Sequence, residues 1–330
     1  MFKTITILIP AYNEEEVIQQ LYTRLNKVIE TIKGYSFEIL FVNDGSRDCT
    51  AEIIKNLRIK DKRISLVDLS RNFGKEIAMI AGLDFSRGDA VVIIDADLQD
   101  PPELIIEMIE YWEQGYDDVY AKRESRAGET WFKKWTASTF YKLLQKISRI
   151  PIQENTGDFR LLDRRCIEAL KQLRETQRYT KGMFSWIGYN KKEILFNRDS
   201  RAAGHTKWNY AKLLDLAIEG ITSFTTVPLR ISSMLGIIIS ICSFFYMLFI
   251  ITKTLVFGES QTGYPSLMTV VLFLGGIQLL SLGIIGEYLG RIFNETKRRP
   301  LYFVKEYNDN REFISAAQHS EKGYAQRQRI

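Results

Sequence analysis

The chain predicts an α/β class: a domain built on a mainly parallel sheet, followed by an amphipathic interface helix and two transmembrane helices. Three observations carry this. Through residues 1–210, apolar runs of strand length alternate with amphipathic helical stretches, the pattern of parallel strands covered on both faces by helices. Beyond a composition boundary near Pro228, the stretch Ile231–Tyr288 is dominated by apolar residues. The 45% hydrophobic content of 330 residues is ample for a folded core.

The first strand is "TITILIP" (4–10), and the N-terminus therefore reads as structure, with no secretory signal visible. A helix follows whose Val17, Leu21, Leu25, Val28 and Ile32 make one face. Then come "FEILFVND" (37–44), a helix near 50–58, "ISLVDLS" (64–70), a helix near 75–85 and "DAVVIID" (89–95). In such sheets ligands gather at the carboxyl ends of the strands. The unusual residues of this chain fall there.

After the first strand, in "PAYNEEE", Asn13 and Glu16 have the spacing of a capping box, which leaves Tyr12 and Glu14 for a ligand. After the second, in "NDGSRDCT", Asp44-Gly45 bends the chain and Asp48 or Thr50 caps the next helix. Asp44 itself serves either that turn or a base or ribose.

After the fourth strand comes "DADLQDPPE". Side chains alternate in extended chain, so Asp95 and Asp97 point to one side and form a hard-oxygen site suited to Mg²⁺ or Mn²⁺. Pro101-Pro102 starts a new helix, with Asp100 as a cap, so Asp100 and Glu103 read as helix-start residues.

Other chemistries lack their fingerprints. There is no GxGxxG after the first strand and no GxxxxGK[ST], against dinucleotide oxidoreductases and P-loop enzymes. Cys49, Cys166 and Cys242 are far apart, against zinc and a disulfide framework and in keeping with a reducing compartment. The net charge of +5 favours an anionic membrane surface, and no nucleic acid is expected as a partner.

Ile231–Ile251 and Pro265–Leu289 are each long enough to span a bilayer. Neither has the polar face that a partly exposed core helix needs. Arg230 precedes the first span and Arg291, Lys297, Arg298 and Arg299 follow the second, so both ends are expected in the cytoplasm. Just before the first span, Leu213, Leu214, Ala217, Ile218 and Ile221 lie at helical spacing, either along the membrane interface or as a helix closing on the sheet. Gln278 and Glu287, inside the second span, suggest helix contacts or oligomerisation, and a homo-oligomer is expected.

Taken in order, "ILIPAYNEEE", "VNDGS", "IDADLQDPPE", "NTGDFRLLDR" and "RAAGHTKW", followed by two spans, resemble the inverting family 2 glycosyltransferases of GT-A (Rossmann-like) fold. Within that family the resemblance is to the polyprenyl-phosphate glycosyltransferases, which include dolichol-phosphate mannose synthase and the bactoprenol glucosyltransferases of GtrB type. It covers about residues 4–300. The polar residues from "EYNDN" onward match nothing in it and read as a tail. The implied organisation is a cytoplasmic catalytic domain at 1–208, an interface helix and linker at 209–229, a two-helix membrane domain at 230–290, and a basic segment and tail at 291–330.

The resemblance also implies roles. Pro10, Tyr12, Glu14 and Asp44 hold the nucleoside, with Asp95 and Ala96 beside it, while Asp95 and Asp97 form a DxD motif with Asp97 and Gln99 nearest the metal. Arg123 and Arg126, in "KRESRAGETWFKK", meet phosphates from the acceptor loop, whose Lys133 and Lys134 serve that loop or anionic lipid. Arg201 and Lys207 match R-x-x-G-x-[ST]-K, with Thr206 where many relatives carry serine. Asp158 is a base or an acceptor-orienting group, or else pairs with Arg160 or caps a helix.

The implied reaction is inverting transfer of a hexose, glucose first, from a UDP-sugar to undecaprenyl or another polyprenyl phosphate at the inner face of the cytoplasmic membrane. Mannose, N-acetylhexosamine or a modified arabinose would use the same motifs. A membrane-tethered scaffold without activity is the rival from another class, against which the intact DxD, Gln99, Arg201 and Lys207 speak. A processive synthase is disfavoured because no Q-x-x-R-W is present.

Overall fold

The computed structural model describes residues 3–124, 156–176, 178, 180–197, 227–257 and 263–309. The strands are β1 (Lys3–Ala11), β2 (Tyr35–Asn43), β3 (Ile64–Leu69), β4 (Ala90–Ile93), β5 (Asp118–Arg123), β6 (Thr156–Asp163), β7 (Lys191–Phe196) and β8 (Val304–Asn308). The helices are α1 (Ile18–Thr31), α2 (Thr50–Lys60), α3 (Lys75–Phe85), α4 (Leu104–Glu113), α5 (Arg164–Gln172), α6 (Thr180–Trp186), α7 (Val227–Phe257) and α8 (Tyr264–Thr296).

The strands form one eight-stranded sheet in the order β7-β5-β6-β4-β1-β2-β3-β8. Strands β4, β1, β2 and β3 run parallel, as the sequence predicts, because helical crossovers join them. Their residues are buried on both faces, which is why they read as unbroken apolar runs. The helix after β1 buries Ile18, Leu21, Leu25, Val28 and Ile29, close to the expected face. Antiparallel β6 lies between β4 and β5, so the start of β6 is brought beside the end of β4. That juxtaposition makes the site.

Beneath it lies an ion pair with no exposed surface on either side chain, Arg160 Nη1 to Asp118 Oδ2 at 3.1 Å. The Arg160 guanidinium also stacks on Phe184, 3.7 Å from the ring centroid. The sequence offers this arginine as a partner for Asp158; its ion pair is with Asp118 on β5 next door, while its charge also acts on Asp158.

One boundary is corrected. The segment expected to be a tail contributes β8, antiparallel to β3. Ser70 N donates to Phe303 O at 2.9 Å, Tyr307 packs its ring 4.6 Å from that of Phe85, and buried Asp309 pairs with Arg87 at 2.7 Å. A five-residue, half-exposed polar edge strand carries little alternation to read. Residues 300–309 thus belong to the sheet-containing unit, whereas α7 and α8 belong to a second one.

Among the described residues the second unit is a helix pair. At 1.5 Å per residue, α7 and α8 run about 46 and 50 Å, beyond the roughly 30 Å of a hydrocarbon core. Their apolar residues, among them Ile237, Phe245, Phe249, Leu279 and Leu282, are exposed, the reverse of a soluble core helix. These features support an integral membrane protein. Ser240, Ser243, Gln278 and Ser281 line a groove between the two helices, and Glu287 pairs with Arg291 one turn on, at 3.0 Å. The proposed interface helix lies outside the described residues.

Candidate active site

The loops after β1 and β2 are tied together. Asn13, at φ 55°, does not cap α1, which starts only at Ile18 with no side-chain cap. Its Oδ1 accepts from Arg47 N at 2.9 Å, its own N–H donates to Ser46 Oγ at 3.0 Å, and Glu14 N–H donates to Thr50 Oγ1 at 2.8 Å. The expected capping box is replaced by a cross-link between two loops. Asp48 does accept from the Thr50 N–H, at 3.0 Å. Along the same edge Pro10 is buried, Glu14 half-buried and Tyr12 40% exposed.

A second tie joins β2 to the loop after β3. Asp44 is buried, and its two oxygens accept from Phe73 N at 2.7 Å and Gly74 N at 2.9 Å. Burial raises its carboxyl above the ordinary range, against the two amides and the nearby Arg71 charge. Both oxygens hold the 73–74 turn, a partner other than the Asp44-Gly45 turn or the nucleoside that the sequence offers. Gly74, at φ 98°, reverses the chain into α3 and sets Lys75 as its first residue.

Lys75 is the site residue that no motif announces. Its ammonium stands 2.6 and 2.7 Å from the two oxygens of Asp95, after β4, and 2.6 Å from Asp158 Oδ2, on β6. Burial alone would lower the lysine, yet the two carboxylates hold it above its usual value. For Asp158, burial pushes the carboxyl up, while Lys75, Lys181 and Arg160 together hold it below the usual carboxylate range. Lys181, on α6, is a second residue the sequence does not flag. Burial lowers its ammonium, and Asp158 opposes that while Lys75, Arg123 and Arg160 add to it.

Two residues beyond Asp95 stands Asp97, whose Oδ1 accepts from the Gln99 N–H at 3.2 Å across Leu98, at φ 60°. The buried Oε1 of Gln99 has no hydrogen-bond partner among the described residues. An orphaned acceptor costs about 1–3 kcal/mol, and an amide oxygen two residues from a carboxylate in sequence suits a hard cation. Mg²⁺ or Mn²⁺ therefore fits Asp97 and Gln99. Among the described residues no three His, Cys, Asp or Glu side chains gather around one point, so such an ion would draw further ligands from substrate and water. Asp95, with both oxygens on Lys75, is the less available of the acids.

Ala96 is buried between the two acids. Arg123, at the end of β5, reaches the start of β6: its Nη2 lies 3.9 Å from where a Cβ on Gly157 would stand, next to Asp158. Arg126, Arg201 and Lys207 lie outside the described residues.

Comparison with known proteins identifies the family. The family model "Glycosyl transferase family 2" matches residues 6–171, and "GtrB C-terminal hairpin" matches residues 227–292. An uncharacterized glycosyltransferase of Synechocystis sp. is 51% identical over 92% of this chain and 95% of its own. A prophage bactoprenol glucosyl transferase homolog of Escherichia coli is 46% identical, and the bactoprenol glucosyl transferase of Shigella phage SfV 47%, each over 91% of this chain and 98% of its own. A sheet with acids at its carboxyl edge, a membrane-length hairpin after it and full-length relatives at this identity place the chain in glycosyl transferase family 2, as a GT-A glycosyltransferase with a GtrB-type hairpin.

Proposed function

We propose that the enzyme transfers a hexose, glucose in the first instance, from a UDP-sugar to the phosphate of undecaprenyl or another polyprenyl phosphate, with inversion at the anomeric carbon. One observation carries this: the acids of β4 and β6 meet across Lys75 at the carboxyl edge of the sheet, in a chain that also carries two membrane-length apolar helices. The similarity to bactoprenol glucosyl transferases supports the choice of sugar and lipid.

The acceptor chemistry suits this site. A phosphate monoester has a second pKa of about 6 and is mostly a dianion at neutral pH, so its oxygen attacks without a strong base. Asp158, held below the usual carboxylate range, is a poor proton acceptor there and acts by orienting the acceptor. Arg123, with Arg126, Arg201 and Lys207, supplies positive charge to the diphosphate and the acceptor phosphate. Pro10, Tyr12, Glu14 and Ala96 line the nucleotide side, and Asp44 shapes it through the 73–74 turn. Asp97 and Gln99 would hold Mg²⁺ or Mn²⁺, which when bound would supply Lewis-acid stabilisation to the leaving diphosphate.

The enzyme works at the cytoplasmic face of the inner membrane. Two crossings return the chain to the side it left, and residues 300–309 rejoin the sheet-containing unit, in keeping with a cytoplasmic catalytic domain and termini. The basic flanks supply the sign of the orientation. A homo-oligomer is part of this reading, on the polar Gln278 and Glu287 within the second apolar span.

The test uses purified protein in detergent with radiolabelled UDP-glucose, undecaprenyl phosphate and Mg²⁺. Label should enter the organic phase, and Asp97→Ala or EDTA should stop it. Transfer from another nucleotide sugar instead would change the donor, and no transfer across a donor panel would overturn the reading.

A further inference from the structure

Three candidate site residues converge on one short segment. Asp44 fixes the amides of Phe73 and Gly74, and the next residue, Lys75, holds Asp95 and Asp158. Asp95 follows β4 and Asp158 lies on β6, the antiparallel neighbour of β4. Both carboxylates lie within reach of one ammonium, so without it two like charges would face each other in a half-buried site. Lys181 and Arg160 also favour the Asp158 charge, but it is Lys75 that contacts both carboxylates, Asp95 at 2.6 Å and Asp158 at 2.6 Å.

We propose that Lys75 is a positioning residue for sugar transfer: by clamping Asp95 to Asp158 it fixes the donor side of the site against the acceptor side. This rests on the functional reading above, in which Asp95 serves the nucleotide and Asp158 orients the acceptor. Lys75 acts through these two carboxylates. Its effect therefore falls on the alignment of the two substrates more than on the binding of either one, and a misplacement of about 1 Å is worth on the order of a hundredfold in rate.

Kinetics of the purified full-length protein test this, with UDP-glucose and undecaprenyl phosphate each varied. Lys75→Met should lower kcat by roughly a hundredfold, with both KM values within about threefold of wild type, and Lys75→Arg should recover roughly tenfold or more, since it restores a cation that grips two carboxylates. In a thermal-melting cycle that needs no substrate, adding Asp158→Asn to Lys75→Met should raise Tm over Lys75→Met alone, because it removes one of the two facing charges. A wild-type kcat for Lys75→Met, a Lys75→Arg no better than Lys75→Met, a loss confined to one KM, or a melting cycle that is simply additive would overturn the proposal. If Lys75→Met does not fold, a melting transition regained in the Lys75→Met, Asp158→Asn double variant supports the proposal and its absence overturns it. A wild-type enzyme that transfers no sugar to the lipid would instead overturn the functional reading, with the melting cycle still readable.

Discussion

Gly45 and Arg71 are closely packed through their backbones: a Cβ on residue 45 would overlap the Arg71 carbonyl carbon. Gly45 also sits at φ 64°. The turn after β2 thus presses on the loop after β3, and together with the Asp44 clamp it sets where Lys75 begins α3.

Gly45→Ala should accordingly destabilise the protein by more than the roughly 1–2 kcal/mol of a left-handed alanine, and should lower activity with it. Gly34→Ala is the control, because Gly34 has φ 89° but open space, with no atom within 4 Å of where its Cβ would stand. Equal Tm losses in the two variants would show that the Arg71 contact contributes nothing.

Asp44→Asn replaces one acceptor with a donor that faces a backbone N–H. A loss of about 1–3 kcal/mol is expected, visible as a lower Tm with no ligand present. If Asp44 served only the nucleoside, the ligand-free Tm would stay put and only the KM for the sugar nucleotide would rise.

Gln99→Leu separates metal binding from folding. It removes a buried acceptor that lacks a partner among the described residues, so Tm should hold or rise. The Mg²⁺ or Mn²⁺ concentration for half-maximal activity should rise at least roughly tenfold, since even outer-shell changes have effects of that size. An unchanged metal dependence would remove Gln99 from the ligand set.

Asp163 caps α5 by accepting from Arg165 N at 2.9 Å and also accepts from Trp112 Nε1 at 2.9 Å. Burial pushes its carboxyl up, but these two donors and the Arg165 charge bring it below the ordinary value. A depressed folded pKa adds stability that is present above the unfolded value, about 3.9, and lost as pH falls through the folded one. The Tm advantage of wild type over Asp163→Asn should therefore be full at pH 6 and shrink below about pH 4. A constant difference from pH 3 to 7 would sink this assignment.

Much of this is legible in the chain. The parallel strands announce themselves because double-sided burial demands unbroken apolar runs such as "AVVII", and Asp95, Asp97 and Gln99 stand out at the end of one. Asn13 misleads, because its spacing to Glu16 fits a capping box while its actual partners, Ser46 and Arg47, lie in another loop. Lys75 is hidden for a like reason. It is 20 residues from Asp95 in sequence and follows no motif, so only the antiparallel insertion of β6 reveals that Asp158 shares it. The edge strand β8 is short and polar, and it follows two apolar helices that look like the end of the soluble fold.

That last strand gives the chain an order in time. A ribosome makes β3 long before β8, and at roughly 5–20 residues per second the interval is on the order of ten seconds or more. Throughout it both apolar helices emerge, while the β3 edge stays open to other chains. The same holds for a shortened gene: a product ended before Val227 would lack β8. A soluble version is better made by replacing residues 227–299 with a linker and keeping the strand that follows.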